Sequence, residues 1–384
     1  GAVTTSNENR MRTLVPQVRL GSPDLDNFKY NMQGGFAGPN AQGARGVVLP
    51  LDDDATEAIR EVIWRETLKR YEFARNMYDQ AKTRATVSVA DEDKAPCFSD
   101  APVEHYYEAP LAAGRQKMDI KRAWEQRLNE VSAVFKACPE LSEGSASFSF
   151  QVLRTYFVNS EGSVVVQNRI ATRVMLMASL KAVDGMELPL NRDYFAYTPD
   201  DLPDNDRMIA DARDMIKRLL ALRDAPVADP YTGPAVLSGP ASGVFFHEIF
   251  GHRLEGHRLK SGGQTFKKMV GEQVLPVEFQ VYCAPLLKSY ADTDLYYRYD
   301  DEGVKARRVD NVVNGVLKEF LMSRVPLDGF PSSNGHGRTS GGADPVSRQS
   351  NLIIETTHPY TEDELRAMLV AEAQKQGKEY GYYF

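Results

Sequence analysis

Two histidines and a glutamate stand together in the stretch Phe245-Phe246-His247-Glu248-Ile249-Phe250-Gly251-His252. Neutral imidazoles are good ligands for zinc, and a carboxylate beside one of them is placed to move a proton. The neighbours Val244, Phe245, Phe246, Ile249 and Phe250 are apolar, so the polar groups belong to a mostly buried segment. Burying two rings and a carboxylate there is costly unless a metal satisfies them together. Ser238-Gly239-Pro240 starts the helix that would carry them. A proline in the first turn gives up an N–H that has no helical partner anyway.

Spacing sets a condition on that helix. Side chains four apart on a regular helix lie about 40° from alignment, whereas side chains five apart lie about 140° apart. His247 and His252 are five apart. Both reach one ion only where the helix ends between them or widens by a residue, and a π-bulge does the latter. Gly251 marks the place where such a distortion costs least. On this reading His247 and His252 hold zinc and Glu248 is the general base. Zinc lowers the pKa of water to about 7, and Glu248 takes the proton during attack on a peptide carbonyl and hands it to the leaving amine. The plainer alternative is that the three are ordinary core or surface residues.

The chain has 384 residues. A single core stops growing at about 250–300, so more than one domain is expected. No apolar run approaches the roughly 18–20 residues of a membrane span. A net charge of -7 without a basic block argues against nucleic acid as a partner. Cys97, Cys138 and Cys283 are far apart and never form Cys-x-x-Cys, which suits buried thiols rather than a disulfide framework or zinc knuckle. The start at Gly1 suits a processed or engineered terminus; a cytoplasmic protein is expected, with an exported form left open.

The elements around the histidines follow from period and punctuation. Leu14 to Leu20 alternates and reads as a strand. From Asp53 to about Lys82 apolar side chains recur at helical steps, with acids at the start and bases at the end. Residues 91–116, rich in charge and proline, read as an exposed excursion. Ile120, Trp124, Leu128, Val131 and Phe135 share one helical stripe, which Cys138-Pro139 ends. Residues 145–182 switch to strand period about Asn159-Ser160-Glu161-Gly162, a hairpin or meander. Helical period returns from Asp206 to Leu222, and the loop of Pro226, Pro230, Gly233 and Pro234 is the expected domain boundary. Beyond it come a short strand, Ala235 to Leu237, a hairpin about Asn314-Gly315, and a capping box of Thr361 and Glu364 for a helix that Gly377 ends.

The run from Phe245 to Gly256 resembles the metal-binding segment of the TldD/PmbA peptidase family, which uses His-Glu-x-x-x-His. Val18-Arg19-Leu20-Gly21-Ser22 with Leu25-Asp26-Asn27, Val158 to Gly162, Asn314 to Leu317 and Ser333-Asn334-Gly335 are similar to family features in the same order. The resemblance implies an α+β fold. Residues 1–230 would form an N-terminal domain of curved sheet with long flanking helices, with a further division open near 140–165. Residues 231–384 would form a C-terminal domain of mainly antiparallel sheet that carries the metal-binding helix. It further implies Zn2+ on His247 and His252, Glu248 as base, unstructured or extended peptides as substrates, and a homodimer or a heterodimer with a related subunit. The family's third ligand is a cysteine past the point where this chain stops at Phe384, and none of the three cysteines stands in that context. Either the chain has lost that ligand and works differently, or its C-terminal domain is incomplete, which is the expectation because the aromatic run Tyr380 to Phe384 reads as a strand cut short. The alternative function is a non-catalytic peptide-binding or assembly subunit of a TldD/PmbA-type complex.

His336 and Arg338 are candidates for holding a substrate carbonyl or carboxylate, against the plainer reading of a mobile surface loop. His257 reads as solvent-facing, with a substitute metal ligand as the alternative, and Lys260, Lys267 and Lys268 read as an exposed basic face, with a grip on acidic substrate ends as the alternative. Asp292, Asp294, Asp300 and Asp301 read as a solvated acidic loop, because their spacing does not fit a calcium loop. Gly262-Gly263 and Gly341-Gly342 lack the lysine of a phosphate loop, and no Gly-x-Ser-x-Gly elbow is present.

Overall fold

A long hairpin organises the N-terminal half. Strands β4 (Leu141–Val158) and β5 (Val164–Lys181) pair antiparallel along their whole length about the turn that the sequence marks at Asn159 to Gly162. The Asn159 side chain accepts from Ser163 N at 2.9 Å, and Gly162 takes φ 105°, a conformation open to glycine. The computed structural model describes residues 5–30, 46–87, 94–111, 116–260, 266–287, 297–339 and 344–384. The residues Asp292, Asp294, Gly262, Gly263, Gly341 and Gly342 lie outside these.

Strand β6 (Glu187–Ala196) pairs antiparallel with the second half of β5, and β3 (His105–Tyr107) pairs parallel with Val164 to Val166 at its start. The excursion expected over 91–116 therefore contains a strand. Parallel pairing is non-local and leaves no hairpin signal in the sequence. Helix α2 (Gln116–Ser132), continued by a 3-10 turn to Ala137, and helix α3 (Asn205–Asp224) cover one face of this sheet. Trp124, Val131 and Phe135 meet Val174, Leu176, Leu180, Met208 and Leu219 there, and Trp124 stacks on Phe148 at 4.3 Å. Helix α1 (Thr56–Val87) has the expected span, but only Ala74 and Ala81 of it are buried, and Ile63 and Tyr71 are exposed.

The segment from Leu14 to Leu20 is not a strand beyond β1 (Thr13–Leu14), which pairs with β2 (Val47–Val48). The Asn27 side chain instead takes up its backbone groups, accepting from Leu20 N at 2.8 Å and donating to Val18 O at 3.3 Å. Alternation without a partner strand does not make a ladder.

The C-terminal half is built on an antiparallel sheet of β8 (Phe279–Cys283), β9 (Val309–Val313), β10 (Val316–Leu317) and β13 (Leu352–Thr356), in the order β10-β9-β8-β13. Asn314 and Gly315 take φ 49° and 76° in the β9–β10 turn, the positive pair that a type I′ turn requires. Strand β7 (Ala235–Val236) pairs parallel with β14 (Tyr382–Tyr383), and helix α6 (Glu362–Lys375) carries the full Thr361–Glu364 capping box. The fold is mixed α+β, with several sheets and, among the described residues, no closed barrel. Among the described residues no helix is long and apolar enough to cross a membrane. The three cysteines are buried and unpaired, as expected of inert thiols.

Contacts knit the two halves together near the tip of the long hairpin. Arg324, only 3% exposed, donates to Glu161 Oε1 and Ser99 O, both at 2.7 Å. Gln167 of β5 accepts from Arg298 N and Tyr299 N and donates to Tyr299 O.

Candidate metal centre

Helix α4 (Gly239–Phe245) begins at Ser238 with Pro240 in its first turn. It passes into a π-turn over Phe246–Phe250 and then a 3-10 turn over Gly251–Leu254. Gly251 N–H donates to Phe246 O, five residues back, as well as to His247 O. The added residue turns the five-apart histidines toward each other, their ring centroids 4.7 Å apart. Glu248 stands between them, with Oε1 3.8 Å from His247 Nε2 and Oε2 3.6 Å from His252 Nε2. The ligand-capable atoms of the three residues lie within 4.8 Å of one another, and no other such group of three or more His, Cys, Asp and Glu occurs among the described residues.

The segment is anchored by its apolar side. Phe250 and Leu254 enter the C-terminal core with Phe266, Val281, Val312 and Leu317. Beyond them Leu321 N donates to Leu254 O and Gly256 N to Leu321 O, which pins the end of the segment. The opposite side is open: the side chains of His247 and Glu248 are 50% and 59% exposed, and Val244, Phe245 and Ile249 are exposed beside them. The segment is thus half-buried rather than mostly buried.

Gly251 is glycine for another reason than cheap distortion. Its φ and ψ of -60° and -42° are open to any residue. What it provides is space, because a β-carbon there would lie 2.1 Å from Gln349 Oε1. Gln349 Nε2 reaches His247 O at 3.3 Å and His252 Nδ1 at 3.4 Å. It is placed by the short ladder of β11 (Gly337–Arg338) and β12 (Val346–Ser347), with Arg348 N donating to His336 O and Arg338 Nη1 to Gln349 O. Nothing local in the sequence signals Gln349. Glu255, 1% exposed, has Oε1 3.1 Å from His252 Nδ1 and Oε2 2.6 Å from Arg258 Nε. Its one sequence signal is the three-residue step from His252.

The remaining candidates fall elsewhere. His336 is fully enclosed, with Nδ1 3.2 Å from Asn334 Oδ1 and Nε2 3.1 Å from Ser350 Oγ, and burial pushes its pKa down to about 3. It is a buried residue, and its stretch is not a surface loop. Arg338 donates to Gln349 O and lies over the Tyr297 ring at 4.8 Å. His257, expected to face solvent, is 2% exposed, and burial pushes its pKa down to about 4. Lys260 donates to Ala95 O, Pro96 O and Pro326 O and so is a clamp rather than part of a basic face. Asp300 is buried and accepts from Val304 N and Gly337 N, and Asp301 accepts from Thr339 N. Asp300 and Asp301 are thus folded inward rather than solvated, because backbone N–H groups take the place of water.

Residues 230–376, which contain the whole cluster, match the PmbA/TldA metallopeptidase C-terminal domain. The part of the chain that carries the histidines is therefore the part that resembles a metallopeptidase domain. A metalloprotease of Archaeoglobus fulgidus is 35% identical over 130 residues, 34% of this chain and 29% of that protein. A metalloprotease of Methanocaldococcus jannaschii is 28% identical over 218 residues, 55% of this chain and 46% of that protein. A zinc metalloprotease TldD homolog of Saccharolobus solfataricus is 24% identical over 216 residues, 54% of this chain and 46% of that protein. The chain thus spans less than half the length of these curated relatives. The solved structure of TldE from Thermococcus kodakarensis superposes with a TM-score of 0.50 at 18% identity, over 77% of this chain and 65% of that one. A Thermotoga maritima structure, described in terms of DNA gyrase modulation, does so at 0.56 and 17% identity, over 77% and 64%. At such identities the likeness is one of fold. The chain is thus similar to TldD/PmbA metallopeptidases in sequence over residues 230–376 and shares the fold of TldE.

Proposed function

We propose that this chain is a zinc-dependent peptidase for extended or unstructured peptides, with His247 and His252 as metal ligands and Glu248 as general base. The observation that carries the reading is the convergence of these three side chains on a widened helix, with ligand-capable atoms within 4.8 Å. The donor set fits zinc, since two imidazoles are ordinary ligands for it and the exposed side leaves room for a further ligand and for substrate. When bound, zinc supplies Lewis acidity that polarises a carbonyl and acidifies water.

Glu248 then has the base's part. Its carboxylate is within 4 Å of both rings yet open to solvent, so it can accept a proton from the attacking water and deliver it to the departing amine nitrogen. The exposed Val244, Phe245 and Ile249 offer an apolar surface along which an extended peptide can lie. The proposed division into N- and C-terminal domains near residue 230 places this machinery in the second. The family resemblance supports assembly with a second subunit, identical or related.

Glu248→Gln tests the reading by the rate of hydrolysis of an unfolded peptide. The variant should lose roughly 100- to 10,000-fold in turnover, the usual worth of a general base, and an unchanged rate would reject the assignment. A second reading, a non-catalytic peptide-binding or assembly subunit, is favoured by one observation: no third histidine or cysteine joins the cluster among the described residues. Peptide binding without turnover in zinc-loaded protein would decide for it.

A further inference from the structure

The widened helix ends on a carboxylate that solvent does not reach. Glu255 Oε1 lies 3.1 Å from His252 Nδ1, Arg258 Nε donates to Oε2 at 2.6 Å, and Arg348 Nη1 is 4.0 Å from Oε1. The backbone on both sides of Glu255 is tied to Leu321, so the carboxylate is held in place. Two donors also face His252 Nδ1: Arg258 Nη2 at 3.3 Å and Gln349 Nε2 at 3.4 Å.

These neighbours ask for opposite tautomers. A hydrogen on Nδ1 suits Glu255, whereas a lone pair on Nδ1 suits Arg258 and Gln349. The carboxylate oxygen is the nearest of the three, at 3.1 Å against 3.3 and 3.4 Å, and it sits in a site shielded from water, where a hydrogen bond to such an acceptor is strong. Arg258 and Gln349 also have other acceptors, Glu255 Oε2 and His247 O. A ring hydrogen on Nδ1 leaves the lone pair on Nε2, the nitrogen that faces Glu248 at 3.6 Å.

We propose that Glu255 is a positioning residue that holds His252 as its Nδ1–H tautomer and so presents Nε2 to the metal. This rests on the zinc reading above and adds to it a residue that touches neither metal nor substrate. Outer carboxylates of this kind fix the orientation of a ligating histidine and raise its basicity.

The test uses the full chain labelled with 15N-histidine, with ring nitrogen shifts of His252 read in metal-free protein at a pH where the ring is neutral. Zinc titrations of wild type and Glu255→Ala follow. Wild-type His252 should carry its hydrogen on Nδ1, and Glu255→Ala should move it to Nε2 and weaken zinc binding by roughly 10- to 100-fold. A wild-type ring protonated on Nε2 overturns the inference without any variant, so it stays testable even if Glu255→Ala fails to fold. A folded Glu255→Ala with wild-type zinc affinity overturns it as well. Absence of zinc binding by wild type would instead reject the zinc reading, and the metal-free tautomer would still decide the role of Glu255.

Discussion

Gly251 and Gln349 compete for one volume: the place of a β-carbon on Gly251 is 2.1 Å from the Gln349 amide oxygen. Gln349 in turn contacts both histidines of the cluster, one through its backbone and one through its ring. Gly251→Ala should therefore displace the amide and cost about 1–3 kcal/mol of stability, as overpacking does. Denaturant midpoints of Gly251→Ala, Gln349→Ala and the double variant check this. The double variant should recover much of the loss of Gly251→Ala, whereas additive losses would mean the clash is relieved elsewhere.

Arg324 joins the turn of the long hairpin to the C-terminal core. Its guanidinium is buried and divided between Glu161 and Ser99 O, and it holds the Glu161 carboxyl below the usual carboxylate range. Arg324→Ala should cost about 3 kcal/mol, because it leaves a carbonyl unpaired and opens the seam between the halves. Glu161→Ala should cost less, since Glu161 is 40% exposed and Arg324 keeps Ser99 O. Thermal midpoints of the two variants in the reverse order would contradict this.

His336 makes stability depend on pH in a defined direction. Burial lowers its pKa from 6.5 to about 3, so the unfolded chain takes up the proton first as pH falls. Its contribution is present above pH 6.5 and is lost progressively toward pH 3. His336→Asn lacks this term. The stability gap between wild type and variant should narrow by about 2 kcal/mol between pH 6.5 and 5, and parallel profiles would show that the ring is not buried neutral.

What was legible in the sequence was local. The five-residue step from His247 to His252 demanded a widened turn, and Phe246–Phe250 supplies it. Asn314-Gly315 and Thr361–Glu364 carry their conformations in their own chemistry, and both formed. Pairings between distant segments were not legible: β3 against β5, Gln349 against Gly251, or the Asn27 side chain taking up the backbone of Val18 and Leu20. For the same reason the sequence alone suggests exposed positions for His257, His336 and Asp300, which are polar by type. Their burial is set by tertiary packing, as where Gly337 N donates to Asp300, and a residue's polar type does not reveal it.

Calorimetric zinc titration tests the proposed roles of His247 and His252 as zinc ligands. Wild type should bind one zinc per chain. His247→Ala and His252→Ala should each lose affinity by more than the roughly 10- to 100-fold that removal of an outer partner costs, while Glu248→Gln keeps binding. A wild-type chain that binds no zinc, or histidine variants that bind it as well as wild type, would contradict the account.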